Sequence, residues 1–378
     1  MFLFISCVVI IDTMQDSDST KEEKIKDIMQ RKEDHINICI DKPVQAKKVS
    51  TLFECVHLIN NSLPEINFDD IDTSVNFLGH KFSAPIMVGA MTGGADLAYK
   101  INENIGIAVE ELGLGMAVGS QRAALYDKKL EETYSIARKS APSAFIGANI
   151  GGAQISKGFS IDDAKELVNM LDADALYTHL NPTQELVQPE GEPHYTSVLD
   201  GIRELVEKVG VPVIPKEVGF GISGYVASNL EKAKVSAIEV AGMGGTSYSA
   251  VEYYRAKQMN LHSKELLGNL LWDWGIPTAA SLCSVVNKVN VPVVSSGGLR
   301  TGLDVAKSIA LGASMTAMAW PVLRPATESS DAVKRFLEQK IYELKSIMFL
   351  IGAKDIEGLR KAKYVMTEPL ESWVKADI

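Results

Sequence analysis

Four side chains able to bind a ligand fall within seven consecutive positions of the sequence, around a proline. They are His179, Asn181, Gln184 and Glu185, and the proline is Pro182. A single histidine at such a place is more often structural, but four neighbouring polar groups favour a functional site. Glu185 offers the oxygen ligand that Mg²⁺ prefers, because Mg²⁺ is usually held by one or two carboxylates together with substrate phosphate and water. The segment therefore predicts a magnesium site.

A glycine pair followed by a helix start is a second candidate site. Gly297 and Gly298 follow an apolar run, and residues Arg300–Asp304 open a helix-like segment. Glycines allow backbone N–H groups to approach an anion closely, and a helix N-terminus adds its positive dipole end. The alternative is a tight turn that binds nothing. We predict that this turn and the following helix bind a phosphate.

Two further polar residues end apolar runs. A buried ammonium such as that of Lys216 is unfavourable unless an acceptor lies beside it. The acceptor is either Glu217, in an ion pair, or a ligand atom that gains negative charge, as in a reduced flavin. Asn149 either donates and accepts at the edge of a planar ring or caps a turn. Both alternatives stay open at the level of sequence.

These residues share a position, the end of a short apolar run. Eight runs rich in Val, Ile, Ala and Met start mostly about 25 to 37 residues apart, which suits one strand, one helix and two loops per unit of a TIM (β/α)8 barrel. Such a barrel places its active site at the C-terminal ends of the strands. The runs are 84–91, 113–120, 144–149, 175–181, 211–216, 237–242, 291–296 and 315–320.

The segments between the runs have helical periodicity. Residues Leu97–Leu112 place apolar side chains on one face, and Asp162–Leu171 starts with a capping aspartate. Beyond the barrel, Ser330–Gly352 predicts the last barrel helix and Asp355–Trp373 a terminal helix. A doubly wound open sheet is the alternative fold class, but the Gly-x-Gly at 113–115 opens an apolar run rather than a helix. We therefore expect an α/β barrel.

Composition excludes several classes of protein. The chain has 378 residues and a formal net charge of −10, which argues against a nucleic-acid binder with a basic surface. Its four cysteines show no ligand-like spacing, so we expect a reducing, cytoplasmic location without disulfides. The apolar residues 1–11 are too few to span a bilayer, which predicts no membrane segment. We expect a flexible extension over 1–30 and one barrel domain over 31–378, with strands at about 84–321. The first 13 residues are expected to be either a dispensable extension or the product of a misplaced translation start.

Several motifs together carry a family resemblance. The chain closely resembles the type 2 isopentenyl-diphosphate δ-isomerases from about Arg31 to the final helices. The Gly-Gly-x-Arg turn alone is common among FMN barrels, whereas Ser-Gln-Arg and His-Leu-Asn-Pro-x-Gln-Glu together are specific. The motifs are Arg31-Lys32-x-x-His35, 90–94 (AMTGG), 119–122 (GSQR), 179–185 (HLNPTQE), 188–191 (QPEG), 244–246 (GGT), 272–275 (WDWG) and 296–300 (SGGLR).

The resemblance implies an activity and its cofactors. Members of the family interconvert isopentenyl and dimethylallyl diphosphate on a TIM barrel, with reduced FMN, Mg²⁺ and NADPH as the reductant, and they assemble into homo-oligomers, tetramers or octamers. The expected partner is thus a small-molecule diphosphate, with no nucleic acid and no membrane. Reduced flavin can remove and deliver the allylic protons, which leaves the protein mainly to orient and to screen the substrate.

The resemblance also implies roles for individual residues. By carry-over, Gln184 and His179 act at the reacting carbons, Gln184 by orienting them, and Glu185 binds Mg²⁺. The substrate set is Arg31, Lys32, Ser120, Gln121, Arg122, His179, Asn181 and Gln184. The flavin set is Ala90, Met91, Thr92, Ser120, Asn149, Lys216 and Thr246, with Gly297, Gly298, Leu299, Arg300, Ala319 and Trp320 around its phosphate.

One departure and two rival functions bear on this interpretation. Family members often carry a serine where this chain has Ala241, so one polar contact to flavin is expected to be missing. An FMN-dependent 2-hydroxy-acid oxidase or dehydrogenase would need a histidine after the sixth strand, where residues 244–248 read GGTSY, and a purine-nucleotide dehydrogenase would need a cysteine there. A non-catalytic flavin- or phosphate-binding barrel would have little use for Mg²⁺ or for the Arg31-Lys32 arm.

Overall fold

Eight short parallel strands, buried on both faces, close into a barrel. The structure is a computed structural model that describes residues 27–378. Each strand pairs with the next along the chain, and the last pairs with the first, so the predicted TIM barrel is confirmed. The strands are β1 Ile86–Val88, β2 Gly115–Ala117, β3 Phe145–Gly151, β4 Ala175–His179, β5 Val213–Lys216, β6 Ile238–Glu239, β7 Val293–Ser296 and β8 Met315–Met318. All eight lie in the predicted runs, although β3 extends two residues beyond its run.

Helices surround the barrel and bury their apolar faces against the strands. The first, α1, covers 27–41. The others are α2 Asp96–Leu112, α3 Arg122–Tyr126, α4 Glu132–Ser140, α5 Gly152–Ser156, α6 Ile161–Leu171, α7 Pro182–Val187, α8 Val198–Lys208, α9 Gly224–Lys232, α10 Tyr248–Gln258, α11 His262–Leu270, α12 Thr278–Val286, α13 Gly302–Ala310, α14 Trp320–Glu328, α15 Ser330–Ile351, α16 Ile356–Arg360 and α17 Leu370–Lys375. The predicted helices at α2 and α15 are confirmed, and the long interval between β6 and β7 is filled by α10, α11 and α12.

Helix α6 is confirmed, but its N-cap lies two residues earlier than the sequence suggested. Its N-cap is Ser160, whose Oγ accepts the N–H of Asp163 at 3.0 Å, while the Asp163 carboxylate accepts the N–H of Ser160. This reciprocal capping box outcompetes a cap at Asp162, because it satisfies two backbone donors together.

The terminal segment 355–373 was wrongly predicted as one helix. It contains α16, then the strand Tyr364–Met366, then α17. The strand pairs antiparallel with Val56–Leu58 far away in sequence, and Pro369 lacks the N–H needed to continue a helix. Helical periodicity could not reveal this long-range pairing.

An aromatic cluster closes the N-terminal end of the barrel. The hairpin Val75–Phe77 and His80–Phe82 places Phe77 and Phe82 against Phe145, with ring centroids 6.1 and 5.8 Å from that residue. Tyr177 and Met87 fill the interior above them. The lower end is therefore packed, and a ligand can enter only at the opposite end.

The chain before the barrel is described only in part. Residues 1–26 lie outside the described residues, and most of the predicted extension 1–30, including the expectation for residues 1–13, falls on them. Residues 27–30 belong to α1. Across 27–378 no helix is both long and apolar enough to cross a membrane.

The capping box of α6 gives a stability test. Replacing Ser160→Ala should lower the free energy of unfolding by about 1 kcal/mol, because the N–H of Asp163 loses its acceptor. The denaturant midpoint measures the change. The matched control is Ser346→Ala within α15, where the hydroxyl bonds only the carbonyl of Tyr342 in its own helix, and its midpoint should not fall. Equal midpoints for Ser160→Ala and the wild type would contradict the assignment of the cap.

Candidate active site

A cavity of about 230 Å³ opens at the C-terminal ends of the strands. The register of the barrel sets Gly151 opposite His179 and His179 opposite Lys216, so polar strand ends become neighbours. Of the predicted site residues, those in the cavity wall are Arg31, Lys32, Ala90, Met91, Thr92, Ser120, Arg122, Asn149, His179, Asn181, Gln184, Glu185, Lys216, Thr246, Gly297, Gly298, Leu299, Arg300, Ala319 and Trp320.

Gln121 is the predicted substrate residue that the structure places behind this wall. Its side chain is fully buried, its Oε1 accepts the N–H of Asn149 at 2.8 Å, and its amide nitrogen donates to the carbonyl of Leu167. Gln121 thus joins the ends of β2 and β3 and shapes the site from outside.

His179 is held as a neutral imidazole. Its Nδ1 lies 2.7 Å from Oδ1 of Asn149, which can only accept, so Nδ1 carries the proton and Nε2 is free to accept. Burial, together with the nearby charges of Lys216 and Lys32, lowers the pKa of His179 to about 3. Asn149 therefore fixes the tautomer of a histidine in the cavity wall rather than capping a turn.

The amide of Gln184 is oriented from both sides. Its Oε1 accepts from Asn181 Nδ2 at 3.1 Å, and its Nε2 donates to Glu252 Oε1 at 3.2 Å. Asn181 is itself fixed by the hydroxyl of Tyr195, which donates to Asn181 Oδ1 at 2.7 Å. The short helix α7, which starts at a proline, holds these groups at the mouth of the barrel.

Glu185 is a buried carboxylate in the cavity wall, 7% exposed. One oxygen accepts from Asn181 Nδ2 at 3.1 Å and the other from the N–H of Glu192 at 2.8 Å. Among residues 27–378 no group of three or more His, Cys, Asp or Glu side chains is placed to hold a metal ion. A metal at Glu185 would thus take its other ligands from substrate and water.

Lys216 is paired with a residue that the sequence did not suggest. Its ammonium contacts the carbonyl of Glu217 and lies 3.6 Å from Oε1 of Glu239, which also accepts from the hydroxyl of Ser296 at 2.7 Å. The carboxylate of Glu217 instead accepts backbone N–H groups, among them that of Gly219 at 2.8 Å. The ion pair proposed for Glu217 is therefore made by Glu239.

The glycine turn after β7 has no room for side chains. Gly297 and Gly298 have φ of +96° and +79°, and a Cβ on Gly297 would lie 2.2 Å from the carbonyl oxygen of Gly242. Only glycine combines this backbone conformation with so close an approach. The turn also lines the cavity, which makes it a candidate cradle for an anion.

The helix end that serves this cradle is α14 rather than α13. The N–H groups of Arg300 and Thr301 both donate to the carboxylate of Asp304, and that of Gly302 donates to Glu343, so the start of α13 is already satisfied. In contrast, no side chain of the described residues caps α14 at Ala319. The expectation that the helix at 300–304 supplies the positive end is corrected accordingly.

The half-buried residue Gln45 fixes the polar side chains beside the cradle. Gln45 accepts from Arg300 Nη2 at 2.6 Å and donates to Thr246 Oγ1 at 3.1 Å. The guanidinium of Arg300 also lies over the ring of Trp320, 5.0 Å from its centroid. The amide of Gln45 thereby positions Arg300 and Thr246, two residues that are predicted to contact a ligand.

The rest of the cavity suits a flat ring. Its wall includes the small residues Gly89, Ala90, Gly119, Ala317 and Ala319. Next to them, Thr92 is 3% exposed, and within residues 27–378 its Oγ1 has no hydrogen-bond partner. A buried hydroxyl without a partner costs free energy, which a polar ring edge would recover.

Helix α1 lies across the mouth of its own barrel. Lys32 Nζ donates to the carbonyl of Ser120 at 3.2 Å, and His35 Nε2 lies 2.8 Å from Glu252 Oε1. Burial, with a smaller contribution from Arg31, lowers the pKa of Lys32 to about 7. The cationic arm therefore belongs to the same chain as the cavity that it covers.

Sequence reasoning missed five residues that shape this site, and most carried no usable signal. Glu252 and Arg255 are spaced three residues apart in α10, a pattern typical of an exposed ion pair, yet both are buried. The others are Gln45, Tyr195 and Glu239, which stand alone in the sequence beside no recognisable motif.

Solved structures with a similar fold include a lactate oxidase and several forms of a mandelate oxidase. A lactate oxidase from Pediococcus acidilactici aligns with a TM-score of 0.63 at 16% identity, covering 93% of this chain and 94% of that one. A mandelate oxidase mutant with a C4a-OH-FMN adduct aligns with a TM-score of 0.60 at 16% identity, covering 90% and 99%. At this identity the likeness concerns the fold alone.

Sequence comparison is more specific. The FMN-dependent dehydrogenase family matches residues 153–366, more than half of the chain. Relatives named isopentenyl-diphosphate delta-isomerase come from Methanosarcina barkeri (46% identical, covering 89% of this chain and 92% of that protein), Pyrococcus abyssi (43%, covering 91% and 94%) and Halobacterium salinarum (42%, covering 96% and 98%). With such identity over most of its length, the chain belongs to the isopentenyl-diphosphate delta-isomerase family.

Proposed function

We propose that the protein interconverts isopentenyl and dimethylallyl diphosphate in isoprenoid biosynthesis, by allylic proton transfer beside a bound flavin. One observation carries the proposal. A single cavity joins a glycine-lined anion cradle and a slot for a flat ring to a second group of charges, Arg31, Lys32 and Arg122 with the carboxylate of Glu185. The anion cradle and the slot suit FMN, and the group of charges suits a diphosphate with a divalent cation. Membership of the isomerase family supports the same assignment.

The cavity fits FMN by its own chemistry. The phosphate would lie at Gly297, Gly298 and the start of α14, beside Arg300, and the ring would reach the unpaired Oγ1 of Thr92 and the ammonium of Lys216. Bound in its reduced form, the flavin supplies an electron-rich ring with an exchangeable proton next to the alkene. The methyl group of Ala241 lies in the same wall, where we expect one polar contact fewer and weaker binding.

The substrate diphosphate would be bound by the cations of the arm and of α3. Arg31 and Lys32 approach from α1, while Arg122 has a buried Nε without a partner in the described residues, which an anionic oxygen would satisfy. Glu185 would hold Mg²⁺, whose charge would offset that of the diphosphate. Helix α1 also screens the reacting carbons from water.

The side chains nearest the reacting carbons orient the substrate and do not change their protonation state. Gln184 is locked between Asn181 and Glu252, so its amide can fix the position of the alkene. His179 is neutral at physiological pH because its pKa lies near 3, so it can accept a hydrogen bond but cannot act as a cationic acid. This supports the proposal that no side chain is the principal proton donor.

Four further features belong to the same proposal. We infer that NADPH reduces the flavin, that residues 31–378 act as one FMN-binding domain, that the enzyme is a homo-oligomer and that it acts in the cytoplasm. The cysteines Cys39, Cys55 and Cys283 are free thiols, in agreement with a reducing compartment.

The activity is tested by anaerobic incubation in D₂O. The purified protein with isopentenyl diphosphate, FMN, Mg²⁺ and NADPH or dithionite should form deuterated dimethylallyl diphosphate, which NMR detects, because the proton delivered comes from solvent exchange. The same mixture with oxidised flavin should form none. If protein that holds FMN forms no product, 2-hydroxy-acid oxidation with lactate and mandelate is the next assay.

The orienting roles of Gln184 and His179 make a separate prediction. The variants Gln184→Ala and His179→Ala should lower kcat by about 100-fold or more and retain FMN, because neither side chain holds the flavin. Flavin absorbance after gel filtration measures retention. Gly297→Ala is the matched control that should lose FMN, since its new Cβ would meet the carbonyl of Gly242. Loss of FMN from His179→Ala or Gln184→Ala would overturn the assignment.

The pKa of Lys32 predicts a pH dependence of substrate binding. The diphosphate binds the ammonium form, which predominates below pH 7 and is lost as the pH rises through about 7 in the free enzyme. The association constant for isopentenyl diphosphate with the oxidised holoenzyme should therefore fall between about pH 7 and pH 9, by at most tenfold per pH unit. Calorimetry measures it.

Lys32→Arg is the control for this titration. A guanidinium keeps its charge throughout the range, so the variant should bind with an affinity that no longer declines above pH 7. A wild-type affinity that stays constant from pH 7 to about pH 9 would show that Lys32 remains protonated and would contradict the prediction.

A further inference from the structure

Arg255 is a buried cation surrounded by carboxylates from three elements. Its side chain is 3% exposed. The guanidinium forms a bidentate pair with Glu190 at 2.6 and 2.9 Å, donates to Glu252 Oε2 at 3.0 Å and lies 3.4 Å from Asp34 Oδ2 through Nε. It thereby joins α10, the loop after α7 and α1. Arg255 is not part of the cavity wall, so it does not touch a ligand there.

The carboxylates around Arg255 hold the groups that face the substrate. Glu252, whose side chain is fully buried, uses its other oxygen to accept from Gln184 Nε2 at 3.2 Å and to contact His35 Nε2 at 2.8 Å. Asp34 and His35 lie on α1, one residue beyond the pair Arg31 and Lys32. The cluster therefore connects the arm to the amide of Gln184 through one guanidinium.

Arg255 is the cation that the three carboxylates of this cluster share. Although burial opposes ionisation, His35 and Arg255 together lower the pKa of Glu252 to about 2, and Arg255 lowers that of Glu190. Without the guanidinium, the carboxylates would face one another in the interior, and an uncompensated buried charge is strongly unfavourable. Glu252 would then take up a proton or move, and either change releases the hydrogen bond that orients Gln184.

We propose that Arg255 is a positioning residue that fixes α1 over its own barrel and orients the Gln184 amide, so that substrate affinity and turnover both depend on a side chain that contacts neither substrate nor flavin. The docking of α1 follows from the geometry alone, whereas the effect on turnover rests on the proposed function. Within residues 27–378 every side-chain hydrogen bond of Arg255 goes to Asp34, Glu190 or Glu252, so the phosphate cradle should not depend on it.

The test compares Arg255→Gln, Arg255→Lys and wild type as holoenzymes. Hydrogen exchange of the segment 27–41, measured by mass spectrometry without substrate, reports the docking of α1. In Arg255→Gln this exchange should accelerate, KM for isopentenyl diphosphate should rise about tenfold and kcat should fall, with FMN affinity unchanged. Arg255→Lys keeps the charge but loses the bidentate pair, so it should recover part of each effect.

A matched control and a milder variant complete the test. Arg203→Gln removes an exposed pair with Asp200 on α8 and should leave exchange and kinetics at wild-type values. Asp34→Asn weakens only the contact to α1, so KM should rise while kcat stays constant, and this variant decides the question if Arg255→Gln does not fold.

Two results would overturn the proposal. One is wild-type exchange at 27–41 together with wild-type KM and kcat in folded Arg255→Gln. The other is faster exchange throughout the barrel with loss of FMN in both Arg255 variants, which would show a general structural role. If the wild type lacks isomerase activity, the proposed function fails, while the exchange data still decide whether Arg255 docks α1.

Discussion

The parallel register of the barrel is the constraint on which the rest of the site depends. Since each strand pairs with its neighbour in the same direction, all polar strand ends meet at one rim, and His179 comes to lie between Gly151 and Lys216. The aromatic hairpin at the other end packs against Phe145 and closes the barrel there. A shift by one residue in any strand would turn these side chains outward into the helical layer, because successive residues of a strand point to opposite faces.

Buried charge is the second feature that organises the molecule. An acidic chain that binds anions must concentrate cations locally, and here some of these cations have carboxylate partners whereas others do not. Lys216 has Glu239, and Arg255 has three carboxylates, whereas Arg31 and Lys32 on α1 face the cavity. Compensated charges hold the scaffold, because both partners are satisfied without a ligand. A buried cation without a carboxylate partner is unfavourable until an anionic ligand binds it. The diphosphate site is therefore proposed at the arm, where Arg31 and Lys32 lie.

The comparison with solved oxidases separates fold from chemistry. The chain shares a barrel with lactate and mandelate oxidases at 16% identity, but residues 244–248 after β6 contain no histidine. Its neutral His179 instead lies at the end of β4, fixed by Asn149. One scaffold can therefore support flavin chemistry of different kinds, since the loops at the rim, rather than the strands, determine which groups meet the substrate. The locked amide of Gln184 and the arm with its two cations are such rim features.

The sequence by itself determined the eight strands and three of the four predicted helices, because buried parallel strands and amphipathic helices leave local patterns in hydropathy. All but one of the residues predicted from strand ends and family motifs lie in the cavity wall. Tertiary structure alone decided the rest. The strand Tyr364–Met366 forms only through its distant partner, and Gln121 is drawn behind the wall by its hydrogen bond to Asn149. The partners of Lys216 and of Gln184, namely Glu239 and Glu252, come from other strands and helices. Such contacts depend on how elements far apart in the chain are packed, and a local pattern carries no information about them.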